Sequence, residues 1–203
     1  MKNIAIFAFT LATGLSFSAA STAQTMSRDV HKDSENRISA EYKAEKDSCD
    51  KLSGNAKDVC VEEAKAKEKV AKAELEARNQ NTTKAQYDLR IAQAEAAYAV
   101  AKEKCDDKAG NAKDVCLKEA KAAETNAKAD AKTFLKTSEA NKSLNHEMAE
   151  DKMKAHEKVT DTRRDAAKDK HDAAYAVAKE KCDAYAGDAK DSCINQAKTR
   201  YGK

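Results

Sequence analysis

CDDKAGNAKDVC, residues 105–116, is the stretch that decides how this chain folds. It has two near-copies, CDKLSGNAKDVC at 49–60 and CDAYAGDAKDSC at 182–193. In each copy the cysteines are eleven apart and a glycine (Gly54, Gly110, Gly187) stands five residues after the first. A glycine after a helical run supplies the left-handed position that ends a helix. The next residue, Asn55, Asn111 or Asp188, is a preferred N-cap, and Asp58, Asp114 or Asp191 follows where an acid favours a helix N-terminus. One helix stops at each glycine and another starts at once, which predicts an αα-hairpin with a very short loop.

The cysteines follow from this geometry. In an unbroken helix, residues eleven apart lie about 16 Å from each other along the axis. A disulfide needs Cα atoms about 4.4–6.8 Å apart. A reversal at the glycine brings them together and predicts the bridges Cys49–Cys60, Cys105–Cys116 and Cys182–Cys193. Six cysteines allow 15 connectivities, but the threefold repetition of a self-contained pair selects this one.

The repeat extends beyond the turns. Ala96–Asp106 is identical to Ala173–Asp183, and Tyr42, Tyr98 and Tyr175 each precede the first cysteine by seven. Ala64, Ala120 and Ala197 each follow the second by four. First cysteines are 56 and then 77 residues apart, both multiples of seven. Tyr87, Ile91, Ala94, Tyr98, Ala101 and Cys105 trace a seam spaced 4, 3, 4, 3, 4, answered by Cys116, Ala120, Ala123, Ala127, Asp130 and Phe134. This is an a/d pattern rich in alanine, and it is weakest around Lys168 and His171. Exposed pairs at i, i+4, among them Asp47–Lys51, Glu63–Lys67, Glu74–Arg78 and Glu150–Lys154, would add a few tenths of a kcal/mol each.

Composition narrows the class. Charged residues make up 36% of 203, near-balanced at 38 basic and 35 acidic, with no Pro and no Trp. Large aliphatic side chains are sparse from residue 24 onward and alanine takes their place. That excludes a layered α/β or sandwich enzyme with a thick core and points to long helices. The fold class expected is all-α: long, antiparallel, coiled-coil-like helical hairpins with three disulfide-fastened turns, elongated. Neither weak segment between the turns, Arg78–Thr83 or Thr137–Asn145, contains Gly or Pro. The favoured expectation is therefore helices running from one glycine to the next, about 55 and 75 residues long (about 80 and 115 Å), with stacked short hairpins as the alternative. Thr83 with Gln86 could open a new helix as a capping box.

Residues 1–23 read as a secretory signal peptide: Met1-Lys2, an apolar run from Ile4 to Leu15, then small residues up to a cut after Ala23. Residues 24–36 are expected to be disordered. Hairpin repeats are expected at 37–79, 83–137 and 145–203. No later segment is apolar enough to cross a membrane, so a periplasmic location is expected.

Little chemistry stands out. The cysteines are consumed in bridges, and His31, His146, His156 and His171 lie in charged helical text as surface residues. No catalytic residue, cofactor site or metal ligand is assigned. Zinc held by thiolates from two hairpins, or a redox-active cysteine pair, is the third-ranked class, since Cys-x-x-Cys spacing is missing. Interleaved charges leave no basic stripe for nucleic acid. Expected partners are envelope or periplasmic proteins, or a second copy through the helices.

The AYAVAKEKCD…GNAKDVC…KEAKA text resembles small exported Ala/Lys/Glu-rich helical proteins of Gram-negative bacteria that carry such paired-Cys units. In composition alone they resemble the helical stalk of the envelope protein TolA. The likeness covers most of 38–203 and implies a non-enzymatic scaffold, spacer or interaction surface in the envelope. AKEKCDDKAGNAKD is also similar to the eleven-residue repeats of late-embryogenesis-abundant proteins, which implies the alternative, a stress protectant or client-binding chaperone-like protein.

Overall fold

The computed structural model describes residues 27–144 and 149–203. The signal peptide expected at 1–23 lies outside the described residues. Six α-helices follow one another: α1 Arg28–Cys49, α2 Gly54–Gln80, α3 Thr83–Cys105, α4 Gly110–Leu144, α5 Ala149–Cys182 and α6 Gly187–Arg200. No strand occurs among the described residues. Each helix packs antiparallel against its chain neighbours and against no other described helix, so the six stand in single file. The four inner helices are therefore covered on two flanks and open to water on the other two, which is why a chain so rich in charge can be helical throughout.

Alanine makes this file possible. Ala64, Ala77, Ala85, Ala92, Ala94, Ala96, Ala120, Ala131 and Ala197 are all buried. Small side chains let helix axes approach to the short end of the usual range of about 8–10 Å. Leu75, 2% exposed, is the largest side chain wholly enclosed.

Three expectations are corrected. First, the chain does not run helical from Gly54 to Gly110. The helix ends at Gln80, Asn81 takes the left-handed conformation (φ 47°), and its N–H donates to Ala77 O at 3.1 Å. Asparagine tolerates this region better than most residues. The next helix is capped by Thr82, one residue earlier than the expected Thr83, with Oγ1 accepting from Ala85 N at 3.1 Å. Folding back buries Leu75, Ala77, Ala85 and Ala92, which a straight rod would leave in water. The second long helix is absent too. α4 stays helical through most of the weak segment, to Leu144, and α5 returns beside it, with Lys181 meeting Glu119 at 2.6 Å and Lys170 meeting Asp130.

Second, residues 28–36 are ordered rather than disordered. Ser27 caps α1 by accepting from Val30 N at 3.4 Å, His31 docks on Glu76 of α2, and Ile38 is buried.

Third, the seam expected on α4 is rotated. Ala120 is buried as expected, but Ala123, Ala127 and Asp130 are exposed, and Glu124 and Ala131 face inward instead. Phe134 is half-buried under the guanidinium of Arg90, 4.1 Å from its ring centre. Glu124 tolerates 6% exposure because Lys121 (2.7 Å) and Lys128 (2.9 Å) cover its carboxylate. Burial alone would raise its pKa, and the two ammonium groups outweigh that and hold it below the usual value. On α3 the expected seam is one of two packed faces; Ala85, Ala92 and Ala96 form the other. Around Lys168 and His171, where the pattern is weakest, contacts are polar and aromatic. Lys168 pairs with Asp172 at 2.8 Å, and His171 meets the Tyr201 ring edge-on at 5.2 Å.

Charges also tie the file together. Glu95 of α3 accepts from Lys69 of α2 at 2.6 Å and from Lys128 of α4 at 2.9 Å, joining three helices through one carboxylate. Hydrogen bonds from these two ammonium groups lower its pKa to about 2. Of the pairs expected within single helices, Glu63 instead meets Lys104 across to α3 and Lys67 meets Glu45 across to α1.

Two outcomes test this fold. Asn81→Gly should leave stability unchanged or slightly raised, whereas Asn81→Val should lower it by about 1–2 kcal/mol in urea titration. A folded pKa below the unfolded value means Glu95 stabilises the fold above about pH 4.5 and loses that contribution as pH falls toward 2. Thermal melts between pH 7 and 2.5 should therefore decline less steeply for Glu95→Gln than for the parent. Its 37% exposure limits the difference at pH 7 to about 1 kcal/mol.

Candidate functional site: a row of clasped turns

The reversals at Gly54, Gly110 and Gly187 are built alike. The first helix of each unit ends at its cysteine, and the chain continues in a tight turn. Leu52 N–H donates to Cys49 O at 2.9 Å, Lys108 to Cys105 O at 3.0 Å, and Tyr185 to Cys182 O at 3.0 Å. The glycines have φ of 57°, 53° and 56°, the left-handed region anticipated for them. Their place differs from expectation, because each opens the second helix and does not close the first. Asn55, Asn111 and Asp188 accordingly sit one residue inside that helix and are not its N-caps. The N-cap positions flanking α2 and α6 are Ser53 and Ala186, neither with a side-chain cap bond. The turn is held covalently, which leaves little for a cap to add.

Disulfides join Cys49–Cys60, Cys105–Cys116 and Cys182–Cys193, with Cα atoms 5.7, 5.7 and 5.6 Å apart. The first cysteine of each pair is at most 1% exposed. A lysine three residues past each glycine closes the turn a second time: Lys57–Asp50 at 2.9 Å, Lys113–Asp106 at 2.8 Å and Lys190–Asp183 at 2.8 Å. Hydrogen bonding to the lysine lowers the pKa of Asp50 and of Asp183, and bonding to Asp106 raises that of Lys113. The sequence shows C-D and A-K-D in all three copies, yet capping logic picks out Asp58, Asp114 and Asp191. The acids that clasp are those beside the cysteine.

Neighbouring units meet through a repeated contact. Glu63, three residues after Cys60, meets Lys104, the residue before Cys105, at 2.7 Å. Glu119, three after Cys116, meets Lys181, the residue before Cys182, at 2.6 Å. The same faces are therefore used from unit to unit, and the disulfides lie at matching levels along the file. The outer ends lack the matching charges: Ser48 stands where the lysine would be, and Gln196 where the glutamate would be.

Because the helices alternate in direction, all three turns point to one end of the file. Leu52, Lys108 and Tyr185 occupy the same position in their units, and all are exposed, Leu52 at 45% and Tyr185 at 56%. Between the second and third turns runs a shallow groove lined by Asn111, Val115, Cys116, Glu119, Lys181 and Ala184. The repeated tyrosines Tyr42, Tyr98 and Tyr175 are half-buried in the helices below; Lys121 lies 5.1 Å above the Tyr98 ring.

Of the histidines, His156 and His171 are exposed, and His146 lies outside the described residues. His31 is not a free surface group. Its ring is 17% exposed and stands between Glu35 of the same helix and Glu76 of α2. Sequence reasoning passes over this group because Glu76 is distant in the chain; only His31 and Glu35, four apart on one helical face, could have signalled it.

No protein-family model matches the chain, and neither curated proteins nor solved structures give a significant likeness.

Each clasp closes a twelve-residue loop, and removing one by paired Cys105→Ser and Cys116→Ser substitution should cost about 2–3 kcal/mol of stability in denaturant titration. Full reduction should abolish cooperative unfolding, as followed by helicity.

Proposed function

We propose that the protein is a non-enzymatic helical scaffold, exported to the periplasm, whose row of clasped turns is a protein-interaction surface in the cell envelope. The observation that carries this reading is the repetition of the tips. One repeat position places Leu52, Lys108 and Tyr185 in water at the same end of the file, where the apolar groups of Leu52 and Tyr185 bring no folding benefit. Aromatic residues are enriched at protein interfaces, and Tyr185 stands more than half exposed at its tip. Three disulfides suit an oxidising compartment, and residues 1–23 read as an export signal. No described helix is long and apolar enough to cross a membrane. The helices supply separation: α4 and α5, at 35 and 34 residues, hold the tips about 50 Å from the opposite end of the file.

The preformed packing favours a scaffold over a protectant that folds only on drying. Circular dichroism of the oxidised protein in dilute buffer should show high helicity that falls on reduction; a coil under those conditions would exclude the scaffold. Crosslinking in envelope extracts should yield a discrete partner adduct. Leu52→Ser with Tyr185→Ser should weaken it at least about tenfold, while Met153→Ser, away from the tips, should not.

A further inference from the structure

The α1–α2 hairpin is clasped by Cys49–Cys60 at one end. At the other, three ligand-type side chains converge. His31 lies in the first turn of α1, Glu35 one turn further on the same face, and Glu76 in the last turns of α2. One imidazole nitrogen and one oxygen from each carboxylate lie within 4.8 Å of one another. His31 Nε2 is closed off from solvent and makes no well-formed hydrogen bond, yet Glu76 Oε1 is 2.8 Å away. A bare Nε2 lone pair and a carboxylate oxygen repel at that separation, so either the ring's own N–H or a cation lies between them, and an N–H there is poorly aimed at the oxygen. Gln80 Nε2 donates to Glu76 Oε2 at 2.9 Å, which leaves Oε1 turned to the ring. Glu35 and Glu76 are 51% and 45% exposed, so both can swing and a solvent molecule can reach the cluster.

We propose that His31, Glu35 and Glu76 bind one divalent transition-metal ion, zinc being the best match, with water as the fourth ligand. Zinc bonds to imidazole nitrogen and carboxylate oxygen run about 2.0–2.2 Å, which separates the ligand atoms by slightly more than 3 Å. Glu76 Oε1, 2.8 Å from Nε2, has to open by a few tenths of an ångström, and the Glu35 carboxylate, now 3.8 Å from Nδ1 on the other side of the ring, has to swing in toward Nε2. Mixed nitrogen and oxygen donors suit zinc better than magnesium or calcium, which take oxygen alone. Gln80 acts as the outer partner that orients a ligating carboxylate. The bound ion would be a second clasp on α1, which among the described helices packs against α2 alone.

Isothermal titration of the full, disulfide-bonded, metal-free chain with zinc chloride tests this. The expected result is one equivalent bound with a dissociation constant on the order of 10 µM or tighter. His31→Ala and Glu76→Gln should each weaken it at least about tenfold, and Gln80→Ala should weaken it by about tenfold. His156→Ala should leave it unchanged, and magnesium chloride should give no heat. Far-UV circular dichroism checks that each variant is folded, and Glu76→Gln, near-isosteric, carries the test if His31→Ala frays α1. Absence of one-to-one zinc binding, or binding that survives both His31→Ala and Glu76→Gln in folded protein, overturns the proposal and leaves an ion pair.

Discussion

Register is the constraint on which this structure depends, and the disulfide at each reversal sets it. Between alanine-faced helices, one sliding position buries about as much as the next, so packing alone specifies alignment weakly. Tying Cys49 to Cys60, Cys105 to Cys116 and Cys182 to Cys193 removes that freedom within a unit. Glu63–Lys104 and Glu119–Lys181 then fix how one unit sits against the next. An exposed ion pair contributes little to stability, but a wrong alignment would oppose like charges. The covalent clasp supplies strength and the repeated pair supplies direction.

The unequal spacing of the units is absorbed without disturbing the row. The helices joining the first two turns have 27 and 23 residues, and those joining the last two have 35 and 34. Both arms of the second pair are lengthened, so the extra chain projects away from the clasped end and the cysteines stay level. An insertion in one arm alone would have put Cys182 out of step with Cys116.

Balanced charge has a structural use beyond keeping an open single file hydrated. Glu95 reaches helices on both sides of its own, and Asp172 is held by Lys168 and Lys203, with its pKa lowered to about 2 by those hydrogen bonds. Glu124 enters the seam because two lysines accompany it. In a file so thin, long side chains such as Lys104 and Lys181 reach the neighbouring helix.

Much of this was legible in the chain. Alanine-rich, proline-free text dictates helix; cysteines eleven apart around a glycine dictate a reversal, because no straight helix could bring them together; and positive φ at Gly54, Gly110 and Gly187 follows from the turn. These are local constraints, readable residue by residue. The break at Asn81, the inward face of α4, the partners of Glu63 and Lys67, and the meeting of His31 with Glu76 were settled only by the tertiary structure. Each of those choices had several near-equal local solutions. Asn81 could have continued a helix, alanine marks almost every face of α4, and Lys67 has Glu63 one turn away. Burial against a neighbouring helix, whose position is set by residues far along the chain, separated solutions that local energetics left almost equal.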